Sequence, residues 1–419
     1  MMRKVNKEIW LAAGLRTPFV KENKELKDVS AIEMSVAVVN SMKEKEQISP
    51  DYLAWGTVVP NLTYSNIARD IVLESELVDE TIAFSTTMAC ASSILSTIQL
   101  ASMVTDDETA ISGGVESFSN VQLGLSNETS KWLKRYGKLK GLLDKVKWAR
   151  EVLKFKLYIP PGVNRITGKS MGEHAEITAQ RLGISRKAQD ELALISHKNY
   201  FKAKEEGFFA DMIFPAFNLV EDLIPRKDTS LQKLSALHPV FDRVPGKGSI
   251  TAGNSSLFTD GSAGVWVAGK NRINEFKTPY KAKLADWEMA AVNIEEEGIL
   301  MSPTFAITRL LERNNLAYND IDIWEIHEAF AAQVLSTIHN LESPAQLKKM
   351  VVKSKFGKFP MEKLNIKGSS ISIGHPFGAT GARIISQTLK QLNLAGKNKK
   401  ALISVCADGG LGAVLLLET

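Results

Sequence analysis

One arrangement occurs twice in this chain and limits its fold more than any other feature. In each occurrence a helix begins beside a reactive residue and leads to a strand that runs up to a pair of glycines. The first starts at Cys90, continues through a small-residue helix over 91–103 and a strand over 109–112, and ends at Gly113-Gly114. The second starts at His375, with a helix over 381–392 and a strand over 401–405 that reaches Cys406 just before Gly409-Gly410. Strand-like segments at 8–13, 53–59 and 81–84 alternate with helical spacing at 29–42 and a helix capped by Ser65 that runs to Leu73. Further strands at 282–292 and 321–326 flank a helix at 303–314. Such alternation is the mark of a layered α/β protein. A chain of 419 residues exceeds one small core. The repeat therefore reads as an internal duplication, with halves at 1–277 and 278–419.

Between the two occurrences the character changes. A loop-rich insertion is expected over about 121–250. Within it, Lys131–Lys156 mixes lysines with Trp132, Leu133, Leu142, Leu143, Val146 and Trp148 in the manner of a basic amphipathic helix, followed by Tyr158-Ile159-Pro160-Pro161. Helices are expected over 170–182 and 185–205, then an irregular, proline-containing stretch over 208–244.

Composition narrows the class. A hydrophobic share of 44% and a charged share of 24% are ordinary for a globular protein. The first sixteen residues are too short in apolar character, and too interrupted by Arg16, for a secretory signal. No stretch approaches the roughly 18 apolar residues of a membrane span. Two cysteines cannot build a disulfide framework and fit a reducing compartment, so the cytoplasm is expected. A net charge of +5 suits an anionic small molecule and gives no case for nucleic acid.

Four residues are candidates for chemistry. Cys90 opens a helix, where the macrodipole lowers a thiol pKa and favours the nucleophilic thiolate; its bland alternative is a buried structural cysteine. His375, in Gly374-His375-Pro376, is placed to take the Cys90 proton, or else simply to cap or pack. Cys406 ends a strand before a glycine turn. It could pair with Cys90 as a disulfide or exchange protons with carbon. No Cys-x-x-Cys or paired-His spacing supports a metal. His327 ends a strand at a sheet edge, where ligands bind in α/β folds; its alternative is a surface histidine paired with Glu328. His174, His197, His238 and His339 receive no catalytic role.

Taken together, the motifs resemble the thiolase family along essentially the whole chain. They are the Cys90 segment, Gly113-Gly114-Val115-Glu116-Ser117, Met171-Gly172-Glu173, Thr251-Ala252-Gly253-Asn254-Ser255-Ser256, His327-Glu328-Ala329-Phe330, the 374–381 segment and Cys406-Ala407-Asp408-Gly409-Gly410. The resemblance implies two βαβαβαββ halves in a five-layered αβαβα core with a loop domain inserted in the first. It implies cleavage or formation of the Cα–Cβ bond of a 3-ketoacyl-CoA through a ping-pong thioester on Cys90. His375 would activate Cys90, and Cys406 would exchange a proton with the acetyl-CoA enolate. One oxyanion hole would use His375 and His327, the other the backbone N–H groups of Cys90 and Asp408. Asp408 stands where the family usually has Gly or Ala, and a carboxylate there should oppose developing negative charge unless it points away.

The same resemblance places the nucleotide end of coenzyme A at Arg226 and the pantetheine at Ser256. Ala252, Met171, Ala329 and Phe330 would shape the channel. CoA and acyl-CoA would be substrates, with no permanently bound cofactor. His327 and the long basic insertion resemble the β-subunit of the fatty-acid-oxidation complex. This favours degradative thiolysis, with a hydratase/dehydrogenase α-subunit or an anionic membrane surface as docking partner. A homo-oligomer, dimer or tetramer, is the family habit. The competing readings are an acetyl-CoA acetyltransferase working toward condensation, a decarboxylating ketoacyl synthase, disfavoured by Cys406, and a catalytically idle CoA-binding or scaffolding subunit.

Overall fold

A computed structural model describes residues 7–160, 162–244 and 246–419. The start of the N-terminal segment weighed above as a signal, residues 1–6, and Pro161 of the Tyr158–Pro161 run lie outside the described residues.

The core is one large mixed sheet whose strand order shows the duplication directly. From edge to edge it runs Ile323–Ile326, Lys400–Ala407, Leu411–Glu418, Lys281–Ala291, Ile9–Ala12, Thr259–Gly269, Thr109–Glu116, Tyr52–Gly56, Ile82–Thr86. Counted by chain order within its own half, the first half reads third, second, fourth, fifth, first from its edge inward. Numbered by their counterparts in the first half, the four strands of the second half read second, fourth, fifth, first. In both, the second strand pairs parallel with the fourth, and the fourth–fifth and fifth–first pairs are antiparallel. A single parallel bridge, Trp324 to Leu364, stands where the second half's third strand would lie. The halves join through their first strands, with Trp10 opposite Lys283.

Three apolar clusters mark the layers. Side chains alternate across a strand, so a strand covered on both faces is apolar throughout. Val265 and Val267 face one way, into a cluster with Ile94 and Ile98 of the Ser92–Met103 helix and Ile384, Ile385 and Leu389 of the Thr380–Ala395 helix. Trp266 and Ala268 face the other way, onto Met34, Val38 and Met42 of the Ala31–Glu46 helix. In the second half Val405 and Leu415 face the central helices, whereas Leu402, Val414 and Leu416 meet Ile307, Leu310 and Leu311 of the Ser302–Arg313 helix. Helix, sheet, paired helices, sheet and helix make five layers. The Thr380–Ala395 helix therefore lies almost wholly inside, and every residue from Thr380 to Leu392 is buried. Some of its polar members bond internally: Ser386 donates to the Gly264 carbonyl (3.2 Å) and Gln387 to that of Gly368 (2.9 Å), whereas Arg383 Nε and Nη1 are buried without a partner among the described residues.

Several boundaries moved. The helix expected from Ser65 begins at Ile67 after Asn66. The single amphipathic helix expected over 131–156 is two, Asn127–Tyr136 and Leu142–Arg150, broken between Gly137 and Gly141. They fold into a hairpin: Trp132 and Trp148 stack at 4.3 Å, and each indole N–H donates to the other's carbonyl (3.0 and 2.8 Å). Leu142 and Leu143 on this hairpin are 79% and 78% exposed. The 208–244 stretch is irregular apart from a short helix, Leu231–Ser235.

Candidate active site

Both central helices begin where the halves meet, and this brings the distant motifs together. After the Ile82–Thr86 strand the chain turns through Ala89, held in the left-handed region at φ 46°, before the Ser92–Met103 helix. A non-glycine residue there is strained and must be held by its surroundings. Ser92 holds it: its hydroxyl donates to the Ala89 carbonyl (2.7 Å) and accepts from the Met88 N–H (2.9 Å). Cys90 is thereby lifted out of the turn.

His375 arrives from the other half on a loop that lies against the first half's strand ends. That approach needs glycine. A Cβ on Gly378 would lie 2.4 Å from the Gly56 carbonyl oxygen, and one on Gly114 2.1 Å from that of Gly378. Glu116 fastens the contact, accepting from the N–H groups of Gly378 (3.0 Å) and Val59 (2.8 Å) and from the Thr57 hydroxyl (3.2 Å). Burial raises this carboxyl to about 7 despite those donors.

Within the site, His375 Nε2 lies 3.1 Å from Cys90 Sγ and Nδ1 lies 2.7 Å from Thr380 Oγ1. The Thr380 hydroxyl donates to the Pro376 carbonyl (2.9 Å), so it can only accept from the ring. Nδ1 therefore carries the proton and Nε2 offers a lone pair to the Cys90 S–H, the tautomer a general base requires. A similar argument sets His327. Its Nδ1 is 2.8 Å from Ser370 Oγ, which accepts from Arg383 Nη2 (2.8 Å). The Ser370 proton then goes to His327 Nδ1, leaving Nε2–H as a donor. Among the described residues that nitrogen has no protein partner, and His327 is fully buried. One ligand atom each from Cys90, His327 and His375 fall within 4.8 Å of one another. The imidazole rings are 4.2 Å apart.

Protonation states follow from burial. The Cys90 thiol is pushed well above its usual value, first by burial and then by the charges of Cys406 and Asp408. This reverses the depressed pKa expected from the helix terminus: Cys90 precedes the helix, and desolvation outweighs the dipole. His375 is pulled down to about 3 by burial and then by Arg383; His327 falls well below its usual value from burial, His375 and Arg383. Burial pushes Cys406 up to about 12. At neutral pH both thiols are protonated and both imidazoles neutral. Both cysteines are free rather than paired. Cys90 is 9% exposed and Cys406 1%, so Cys90 is the thiol a ligand can meet.

His327 is not a surface residue paired with Glu328. Glu328 is itself buried and accepts from Ser196 (2.7 Å) and Asn365 (2.7 Å), fixing the loop that carries His327. The Asp408 carboxylate accepts from Asn164 (2.7 Å) and from the Gly409 N–H (2.6 Å), and its charge still acts on Cys90.

The residues assigned to CoA fall in two places. Arg226 and Ala252 line one groove with Thr229, Ser255 and Leu257. Ile224 and Leu257 of its wall belong to the same large apolar cluster as Met88 and Cys90. Met171, Ala329 and Phe330 pack instead around Cys406. Ser256 lies between them, its hydroxyl donating to the Ala329 carbonyl (3.0 Å). Sequence reasoning gave His197 no part, yet it lines the groove and accepts from the Arg226 N–H (3.2 Å). Arg383, Ser370 and Thr380 were also missed. Only their helical spacing from His375 could have pointed to Arg383 and Thr380.

A buried thiol in contact with one imidazole, a second buried thiol and a second buried histidine thus come together at the junction of two duplicated halves. The N-terminal thiolase domain matches residues 9–271 and the C-terminal thiolase domain 278–419. The chain belongs to the thiolase family. It is 35% identical to the 3-ketoacyl-CoA thiolase of Vibrio cholerae over 423 residues, 97% of this chain and 96% of that protein. The human mitochondrial 3-ketoacyl-CoA thiolase in complex with CoA superposes with a TM-score of 0.82 at 25% identity, covering all of both chains. The Bacillus anthracis acetyl-CoA acetyltransferase does so at 0.79 and 27%, covering 98% of each. Among the described residues no helix is long and apolar enough to cross a membrane.

Proposed function

We propose that this protein is a degradative 3-ketoacyl-CoA thiolase, cleaving its substrate with CoA to acetyl-CoA and an acyl-CoA two carbons shorter. The observation that carries the reading is the Cys90–His375 contact, with the proton resting on sulfur and the base in the correct tautomer. Cys90 gives its proton to His375 Nε2 as sulfur bonds to the 3-keto carbon. The oxyanion is met by His327 Nε2–H and the newly protonated His375. The Cα–Cβ bond breaks, the acyl group stays on Cys90 as a thioester, and the Cys406 S–H protonates the departing enolate to acetyl-CoA. CoA then enters. Its thiol proton goes to the Cys406 thiolate, its sulfur takes the acyl group, and His375 returns the first proton to Cys90. Backbone N–H groups of Cys90 and Asp408 serve the thioester oxygen. A covalent intermediate makes the kinetics ping-pong. No permanently bound cofactor is needed.

Arg226 meets the nucleotide end of CoA and Ser256 its pantetheine, with Ala252, Met171, Ala329 and Phe330 shaping the channel. The halves divide near 277/278, with the insertion over about 121–250. This division is supported by the recurring strand order and the break between the two domain matches. Residues 127–160 carry ten Lys/Arg against three Asp/Glu, more than the net charge of the whole chain. With its exposed leucines, the hairpin suits an anionic docking surface, on a hydratase/dehydrogenase partner or a membrane. Failure to bind either anionic liposomes or a co-purified partner would remove this part. A homo-oligomer and a cytoplasmic location complete the proposal.

The test is CoA-dependent thiolysis of 3-ketoacyl-CoAs from four to sixteen carbons, with Cys90→Ser as control. Turnover rising with length and lost in the variant supports the reading. Activity confined to the four-carbon substrate moves it to an acetyl-CoA acetyltransferase, the second reading, and none at any length to a non-catalytic CoA-binding subunit.

A further inference from the structure

The loop between the hairpin and the Met171–Leu182 helix is exposed at 162, 163, 165, 166, 168 and 169. From 162 to 169 the half-buried residues are Asn164 and Thr167, and both enter one hydrogen-bonded chain. Asn164 Nδ2 donates to Asp408 Oδ1 (2.7 Å). Asn164 Oδ1 accepts from the N–H groups of Ile166 (3.0 Å) and Thr167 (3.1 Å), and Thr167 Oγ1 lies 2.7 Å from His174 Nε2. The loop closes on itself through Gly168 N–H to the Asn164 carbonyl (2.9 Å), with Gly168 at φ 67°. It ends at Ser170, which caps the helix in a reciprocal box with Glu173. Met171, the next residue, packs in the cluster that holds Cys406. A strand end of the second half thus grips the loop that delivers Met171 to the wall of the site.

We propose that Asp408, Asn164, Thr167 and His174 form a latch: positioning residues that fix the 162–170 loop against the active-site strand and so set the acyl chain length accepted beside Met171. The inference rests on the thiolase reading. Asp408 acts in a second way, because its charge helps raise the Cys90 thiol. Asn164 has no charge, so the two effects separate. Asn164→Ala breaks the latch and leaves the carboxylate. Asp408→Asn removes the charge and keeps an acceptor oxygen for Asn164. Asp408→Ala removes both.

The experiment reads the ratio of kcat/KM for a sixteen-carbon over a four-carbon 3-ketoacyl-CoA in the wild type and the three variants, with the pH dependence of Cys90 alkylation by iodoacetamide beside it. Asn164→Ala and Asp408→Ala are expected to lower the ratio about tenfold, near 1.4 kcal/mol, while Asp408→Asn keeps it within about threefold of wild type. The alkylation profile should shift to lower pH in both Asp408 variants and stay put in Asn164→Ala. An unchanged ratio in Asn164→Ala overturns the latch. So does an equal loss at both chain lengths, which would make the contact merely structural. Amide exchange over 164–174 adds a reading independent of turnover: it should speed up in Asn164→Ala, and protection equal to wild type overturns the latch even if no 3-ketoacyl-CoA is cleaved. Inactivity of the wild type on every chain length would instead remove the thiolase reading.

Discussion

His327 offers a perturbation in which activity and stability should move apart. Its Nε2–H is fully buried and has no protein partner among the described residues. An unmet buried polar group costs about 1–3 kcal/mol. His327→Leu keeps similar volume and removes that cost. It also removes the Nδ1 contact to Ser370, worth about 1 kcal/mol, but Ser370 keeps its bond from Arg383. Stability should therefore stay level or rise by up to about 2 kcal/mol. Activity should fall steeply, because loss of one oxyanion donor costs about 10²–10³ in kcat, or about 2.7–4 kcal/mol. The assay is kcat for thiolysis of a ten-carbon 3-ketoacyl-CoA alongside the urea midpoint of the same preparation. A kcat within about fivefold of wild type would refute the oxyanion assignment. A midpoint falling in step with kcat would show that His327 holds structure instead.

Three other outcomes follow from the site. Removing the base with His375→Ala should lower kcat about 10²–10⁴-fold, and Cys406→Ala should lose a similar factor while iodoacetamide still alkylates Cys90; kcat for each variant and mass analysis of the alkylated protein check both. The rate of Cys90 alkylation should keep climbing beyond the ordinary thiol value of 9.0, because burial favours the neutral S–H. No inflection from His375 should appear near neutrality, since its proton is lost by about pH 3 as pH rises. A rate plateau by pH 7 would reveal a resting thiolate–imidazolium pair and contradict this. Zn2+ should inhibit reversibly, because a thiol and two imidazoles within 4.8 Å need little movement to meet one ion. EDTA should restore activity, and inhibition insensitive to Cys90→Ser would place the ion elsewhere.

The reactive residues were legible because few other roles suit them. Two cysteines in 419 residues each sat beside glycine or small-residue turns, and the strand–helix alternation recurred around them. Helix and strand placement followed from periodicity, with ends off by a few residues, as where the helix expected from Ser65 starts at Ile67. The long Thr259–Gly269 and Leu411–Glu418 strands were not marked, because both faces are covered and no alternation shows. Charge states were misjudged at Cys90. A helix terminus is visible in sequence, but the depth of burial that overrides it is not. The supporting residues Ser370, Thr380, Arg383 and His197 could not be ranked, since each matters only through a partner far along the chain or across the fold. The partner of Asp408 was equally hidden, since the Asn164 contact that holds its carboxylate joins residues 244 positions apart.

The most direct test of the account is mass analysis of the protein mixed with a 3-ketoacyl-CoA in the absence of free CoA. The account predicts release of acetyl-CoA in an amount equal to the active sites, with the shortened acyl group on the peptide containing Cys90, and discharge of that group when CoA is added. An acyl group on Cys406, or acetyl-CoA release with no covalent adduct, would contradict it.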